Sequence, residues 1–238
     1  MNVLILAAGV KETQPMEDGY PLLLAEIDGM PLIEHVINSV ARLEPKKITI
    51  TMRRTEMNQF HLDNIVNILC ASADVVAVND GVKGAVCTAL LASPSFDNDE
   101  ELLIINVNQL VDIDLAAVLE TFRARKLDAG LITFDSIHPR YSYVRIDTAG
   151  RVIEASEKRP ISKMASAGIY WFAKGARFVA AAKNMIRKDV QVGGDFYVTP
   201  VLNELILDQA VIGAHQIEKT QYQPVKNENQ LKHAVAHI

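Results

Sequence analysis

The first thirty-three residues, MNVLILAAGVKETQPMEDGYPLLLAEIDGMPLI, constrain the fold more than any other stretch of the chain. An apolar run, Val3 to Ala8, ends in Gly9; a long polar segment follows, and Pro31 then opens a run with helical periodicity. A segment apolar on both faces reads as a central parallel strand, so Asn2 to Ala8 is predicted as one. A buried first strand that feeds a glycine loop is how many α/β folds present backbone N–H groups to a phosphate. A tight turn accounts for Gly9 as well, and the sequence leaves both roles open.

The rest of the chain repeats that logic. Val36, Ile37 and Val40 recur at helical spacing after Pro31, which suits the first turn of a helix. Strands are predicted at Lys46–Met52, Ala73–Val78, Glu101–Val107 and Ala129–Phe134, with helices at Glu56–Cys70, from Gly84, and at Asp114–Arg125, where Asp114 is placed to cap. Strand and helix alternate throughout this part, which argues for a doubly wound sheet with helices on both faces.

The pattern then changes. Tyr141–Ile146 and Arg151–Glu157 flank a turn and read as a hairpin. Ala165–Phe172 is a strand with Gly168 inside it, the kind of glycine that marks a close approach to the backbone. Helices are predicted at Lys174–Ile186 and Phe196–Leu207, and a last strand at Val211–Ile217. The tail from Glu218 to Ile238 is polar and then weakly helical. With no repeat and no linker, the expectation is one domain over residues 1–238 with a mixed sheet.

Composition narrows the function classes. The 238 residues are 49% hydrophobic and 22% charged, enough for a full core. A net charge of −5 argues against nucleic acid as a partner, because binding a phosphate backbone wants a basic face. Cys70 and Cys87 sit in apolar helical surroundings and read as buried thiols. No apolar run approaches the roughly 20 residues that cross a bilayer, and Met1 leads straight into a strand, so neither a membrane span nor a signal peptide is expected. The reducing cytoplasm is the expected compartment.

Five places bear residues suited to chemistry. Gly9, after Ala7 and Ala8, ends the first strand. Gly84 opens a helix whose N-terminus favours anions or polar ligand edges, or else packs closely. The end of the fourth strand carries Asn106, Asn108, Gln109 and Asp112, where ligands sit in open α/β sheets. Asn108 orients a ligand but brings no charge to a metal; Asp112 does. Glu157 and Lys158 pair a carboxylate with an ammonium at the end of the hairpin, as a surface ion pair or as a grip on sugar hydroxyls and a phosphate. Asp195 is placed either to cap the following helix or to meet a ligand hydroxyl.

In this order, LILAAG at 4–9, PLLLAEIDGMPLI at 21–33, KGAVCTALLA at 83–92, the Asn106–Leu115 stretch, SYVRID at 142–147, EKRPIS at 157–162, ASAGIYWF at 165–172 and GGDFYVTPVLNELI at 193–206 resemble the sugar nucleotidyltransferases, the nucleoside-diphosphate-sugar pyrophosphorylases. The resemblance spans nearly the whole chain. It implies a Rossmann-like, glycosyltransferase-A-like three-layer α/β sandwich with a mixed, mostly parallel sheet. It also implies transfer of a nucleotidyl group from a nucleoside triphosphate to a sugar phosphate or similar acceptor, with Mg²⁺ and release of pyrophosphate, in nucleotide-sugar or surface-polysaccharide metabolism. Homodimers are common among such proteins. By the resemblance, Ala7, Ala8, Gly9, Gly84, Asn106 and Asn108 meet the nucleotide, and Glu157, Lys158, Gly168 and Asp195 the acceptor.

The chain departs from that pattern in its charges. Lys11 stands where the family loop has its second glycine, and the loop arginine is missing. Leu22 stands where the family has a phosphate-gripping lysine, and Asn108 where it has an aspartate for Mg²⁺. Two readings follow. One is an active enzyme that uses Lys11 and Lys158 as cations and Asp112, beside Asn108, for the metal. The other is a weakened or inactive relative that binds a nucleotide, a sugar phosphate or a partner protein as a regulatory or assembly subunit; a glycosyltransferase on the same fold is disfavoured, because Asn106-Val107-Asn108 stands where those enzymes hold a metal with Asp-x-Asp.

Overall fold

The structure, a computed structural model, describes residues 1–9 and 19–225. Its elements begin with β1 (Asn2–Leu6), β2 (Glu26–Ile27), β3 (Met30–Pro31), α1 (Leu32–Ala41), β4 (Lys47–Arg53), α2 (Arg54–Phe60), α3 (Leu62–Leu69) and β5 (Asp74–Val78). Next come α4 (Gly84–Leu91), β6 (Leu102–Asn106), β7 (Gln109–Val111), α5 (Leu115–Ala124), β8 (Ala129–Asp135), β9 (Ser142–Ile146) and β10 (Val152–Glu157). The chain continues through β11 (Met164–Phe172), α6 (Gly175–Arg187), α7 (Val198–Leu207), β12 (Ile212–Ile217) and β13 (Tyr222–Pro224).

Alternation along β1 builds the layers. Val3 and Ile5 face a cluster filled by Ile33, Val36 and Ile37 of α1, Val66 of α3 and Phe122 of α5. Leu4 and Leu6 face the opposite cluster, with Val86 of α4, Phe178 of α6 and Leu202 of α7. Helices therefore cover both faces, as the alternation of strand and helix predicts. Burying each such aliphatic side chain contributes about 1.5–3 kcal/mol before ordering costs.

The main sheet runs β5-β4-β1-β6-β11-β8-β12. The first four strands are mutually parallel, as are β8 and β12, whereas β11 runs antiparallel to both β6 and β8. The β9–β10 hairpin joins the start of β11 through Ala165 and Tyr143. The sheet is thus mixed and mostly parallel, in an α/β architecture of the expected kind.

Three expectations need correcting. The helix read over Glu56–Cys70 is two helices, because His61 adopts a left-handed φ of 52° between them. That break lets α3 turn Leu62 and Val66 into the core, whereas α2 buries no residue. The helix expected from Phe196 starts at Val198, since the Phe196 backbone is bonded to the start of α4 instead. The strand at Ile212–Ile217 is not the last one. After a helical turn at Lys219–Gln221, β13 pairs antiparallel with β7, a small sheet the polar tail gave no sign of. Residues 226–238 of that tail lie outside the described residues.

Candidate functional site

The parallel strands β1, β4, β5 and β6 all end on one side of the sheet, and a cleft of about 660 Å³ opens there. Ala8 and Gly9 enter it from β1, Arg53 from β4, Asn79 and Asp80 from β5, and Asn106 and Asn108 from β6. Glu157, Lys158 and Ser142 of the hairpin, Gly168 of β11, Gly84 of α4 and Asp195 close it from the far side. Distant parts of the chain thus converge on the site that the strand-end rule selects.

Two glycines show why these segments meet. Gly84 has φ +83°, and a Cβ there would lie 2.6 Å from the Phe196 carbonyl oxygen. The Val86 N–H donates to that same oxygen (3.0 Å), and the Phe196 N–H donates to the Lys83 carbonyl (3.2 Å). Close packing therefore accounts for this glycine, and it fixes Asp195 beside the start of α4. Asp195 does not cap the next helix: the N-cap of α7 is Tyr197, without a side-chain cap bond.

Gly168 has φ +73° at a register shift in β11 between Ser166 and Tyr170. A Cβ on it would sit 2.3 Å from Gln109 Nε2 and 2.8 Å from Asn106 Nδ2. The interior glycine does mark a close approach, and what approaches is the carboxamide of Gln109. That side chain is only 6% exposed, and its Nε2 has no hydrogen-bond partner.

Glu157 is buried, at 8% exposure, and accepts a hydrogen bond from the Ser142 hydroxyl. The next residue, Lys158, has a left-handed φ of 54° and is exposed. This turn sends the carboxylate inward and the ammonium outward, and the Lys158 ammonium donates to the Tyr197 hydroxyl at 2.9 Å. Beneath them the Ser166 hydroxyl donates to Tyr170 Oη (2.8 Å), which also bonds Thr199 (2.7 Å). Burial pushes the Tyr170 phenol up to about 12, so it stays neutral and ties β11 to α7.

The cations and anions of the cleft are only partly those expected. Arg53 and Arg140 line it with Lys158, and Asp80 lines it with Glu157 and Asp195. Arg140 is exposed, and its guanidinium stands 4.7 Å from the centre of the Tyr141 ring. Arg53 was missed as well, although it directly follows the strand expected to end at Met52 and is the last residue of β4. Arg140 sits in an irregular loop, where no sequence signal singles it out.

Other candidates lie elsewhere. Ala7 is 9% exposed and belongs to the core, one residue short of the cleft. Leu22 packs with Ala25, Ile27, Leu32 and Val225, so an apolar cluster occupies the position assigned to the family lysine. Lys11 lies outside the described residues. Asp112 lines a second groove of about 740 Å³ with His35, Arg42 and Gln221, whereas Asn108 lines the cleft.

The donor set at the end of β6 is therefore Asn106, Asn108 and Gln109, all neutral carboxamides, and the Nε2 of Gln109 is buried without a partner. Mg²⁺ demands hard oxygen ligands and is bound through carboxylates, water and substrate phosphates. Among the described residues no group of three or more His, Cys, Asp or Glu could hold a metal ion. The residues present do not fit a protein-anchored Mg²⁺ at this strand end.

The nucleotidyl transferase family model matches residues 16–196. The chain is 26% identical over 227 residues to the bifunctional protein GlmU of Streptococcus sanguinis, covering 90% of this chain and 46% of that protein. It is 27% identical over 218 residues to the GlmU of Herminiimonas arsenicoxydans, covering 87% and 45%. The chain thus spans less than half the length of these curated relatives. The fold is shared with the crystal structure of the nucleoside-diphosphate-sugar pyrophosphorylase from Vibrio cholerae RC9, with a TM-score of 0.81, 20% identity, and 99% and 100% of the two chains covered.

Proposed function

We propose that this chain, which belongs to the nucleotidyl transferase family, uses the cleft to join a nucleoside triphosphate to a sugar phosphate or a similar small phosphorylated acceptor, in nucleotide-sugar or surface-polysaccharide metabolism. The observation that carries this reading is the convergence of the Gly9 end of β1 with Arg53, Arg140 and Lys158 in one cleft. Three cations facing a glycine-ended strand suit two phosphorylated ligands brought together.

In this reading Ala8, Gly9 and Gly84 meet base and ribose, with Ala7 supporting them from the core, and Asn106 and Asn108 meet the ribose. Glu157, Gly168 and Asp195 hold the acceptor, with the Glu157 carboxylate taking its hydroxyls. Lys158 and Arg140, with Lys11 from the loop, neutralise the phosphates. An oxygen of the acceptor phosphate attacks the α-phosphorus; that P–O bond forms as the bond to the β-phosphate oxygen breaks, and pyrophosphate leaves. The work left to the protein is positioning and charge stabilisation, which is most of what phosphoryl transfer asks of one. Any Mg²⁺ in the reaction arrives on the triphosphate as part of the substrate. A cytoplasmic homodimer is the assembly proposed.

A second reading, a binding homologue without turnover, is favoured by Leu22 in its apolar cluster and by Asn108 at the strand end. An assay separates the two. The chain is incubated with each nucleoside triphosphate, Mg²⁺ and a panel of sugar 1-phosphates, and pyrophosphate is measured. Release that needs one particular pair is expected; no release with any pair, together with thermal stabilisation by a nucleotide, assigns the binding role instead.

A further inference from the structure

We propose that the cleft binds a nucleoside diphosphate sugar without any divalent metal, the diphosphate being met by Arg140 and Lys158 and the sugar or ribose oxygens by the carboxamides of Asn106, Asn108 and Gln109. The proposal rests on the reading of the cleft given above and adds to it the manner in which ligand charge is met.

Two observations support it independently. The first is the chemistry of the cleft floor. Three neutral carboxamides line the cleft where the strand ends, and one of them, Gln109, which also lines the groove beside Asp112, packs against Gly168 with its Nε2 buried and without a hydrogen-bond partner. An unsatisfied N–H repels a cation and seeks an acceptor oxygen, and leaving it unpaired is costly. The carboxylate of the neighbourhood that has no part in the cleft, Asp112, faces the other groove.

The second observation is where the cations are. Arg140 and Lys158 are both exposed while lining the cleft, so a ligand reaches them without rearrangement of the core. Each phosphate of a nucleoside diphosphate sugar has one ester and one anhydride link and bears a single charge. Such a group is matched by a guanidinium in the forked geometry that suits phosphate oxygens, with an ammonium as a second point charge. Asp80, Glu157 and Asp195 line the same cleft and balance the side-chain cations. The cleft is therefore poorly matched to the greater charge of a metal-free triphosphate, and the diphosphate sugar is the nucleotide class it takes unaided.

The test is calorimetric titration of the full chain with UDP-glucose, dTDP-glucose, ADP-glucose, CDP-glucose and GDP-mannose, in excess MgCl₂ and in excess EDTA. At least one is expected to bind, with dissociation constants in the two buffers that agree within about threefold. Arg140→Ala is expected to weaken that binding about tenfold in both buffers, the loss of one charge-assisted phosphate contact. Asn108→Asp is expected to create a preference for the MgCl₂ buffer of about tenfold or more. A larger than threefold preference for MgCl₂ in the unmodified chain overturns the metal-free proposal and leaves the cleft reading standing. Failure of every sugar nucleotide to bind in either buffer overturns the metal-free proposal, and the cleft reading falls with it only where no nucleoside triphosphate stabilises the chain or releases pyrophosphate with any acceptor.

Discussion

Gly168→Ala is expected to lower the stability of the chain by about 2–5 kcal/mol, from left-handed strain and from overpacking together. At φ +73° the glycine sits where an L side chain is disfavoured. The added methyl would in addition lie 2.3 Å from Gln109 Nε2 and 2.6 Å from its Oε1, and both atoms belong to a buried side chain. Gln109 begins β7, which pairs with β13, so it cannot retreat without disturbing that small sheet. Urea unfolding checks the size of the effect. The double variant Gly168→Ala with Gln109→Ala should recover the overpacking part and keep the backbone part, about 1–2 kcal/mol. A single variant within 0.5 kcal/mol of the parent contradicts the close approach.

Lys158→Ala is expected to reduce kcat/KM for pyrophosphate release about 10²–10³-fold, the usual cost of losing one preorganised group that stabilises developing charge. The left-handed backbone at Lys158 and the bond from its ammonium to the Tyr197 hydroxyl aim the cation before ligand arrives. Lys158→Arg keeps the charge but not that aim, and should recover part of the loss. Because the side chain is exposed, the fold should tolerate either change, so unfolding midpoints near the parent's would assign the loss to chemistry. An alanine variant within threefold of the parent in kcat/KM removes Lys158 from the reaction.

Much of the fold was legible because burial on both faces leaves a plain mark. Val3–Leu6 and Leu102–Ile105 are apolar without a break, and both became central parallel strands. Asp114 caps α5 as expected, accepting from the Ala117 N–H at 3.0 Å. The chain falls short of such legibility where tertiary contacts decide. His61 breaks a helix through its backbone conformation, and Tyr222 becomes a strand residue because it stacks on Phe134 with ring centres 4.0 Å apart.

The cleft was legible by the same physics and to the same limit. The strand-end rule brought Gly9, Asn106 and Asn108 to one place, and the interior glycine of β11 foretold a close neighbour without naming it. Arg140 was hidden because an exposed loop cation has no periodicity to betray it. Asp112 follows Asn108 by four residues in sequence yet lines a different groove, because β7 lies between them and carries the chain away.

The two cavities offer the most direct test of the account, by crystallography with a bound sugar nucleotide or nucleoside triphosphate. Ligand density is expected in the cleft between Gly9 and Gly168, with phosphates beside Lys158 and Arg140. Density instead in the groove beside Asp112 and His35, with the cleft left empty at a saturating ligand concentration, would contradict it.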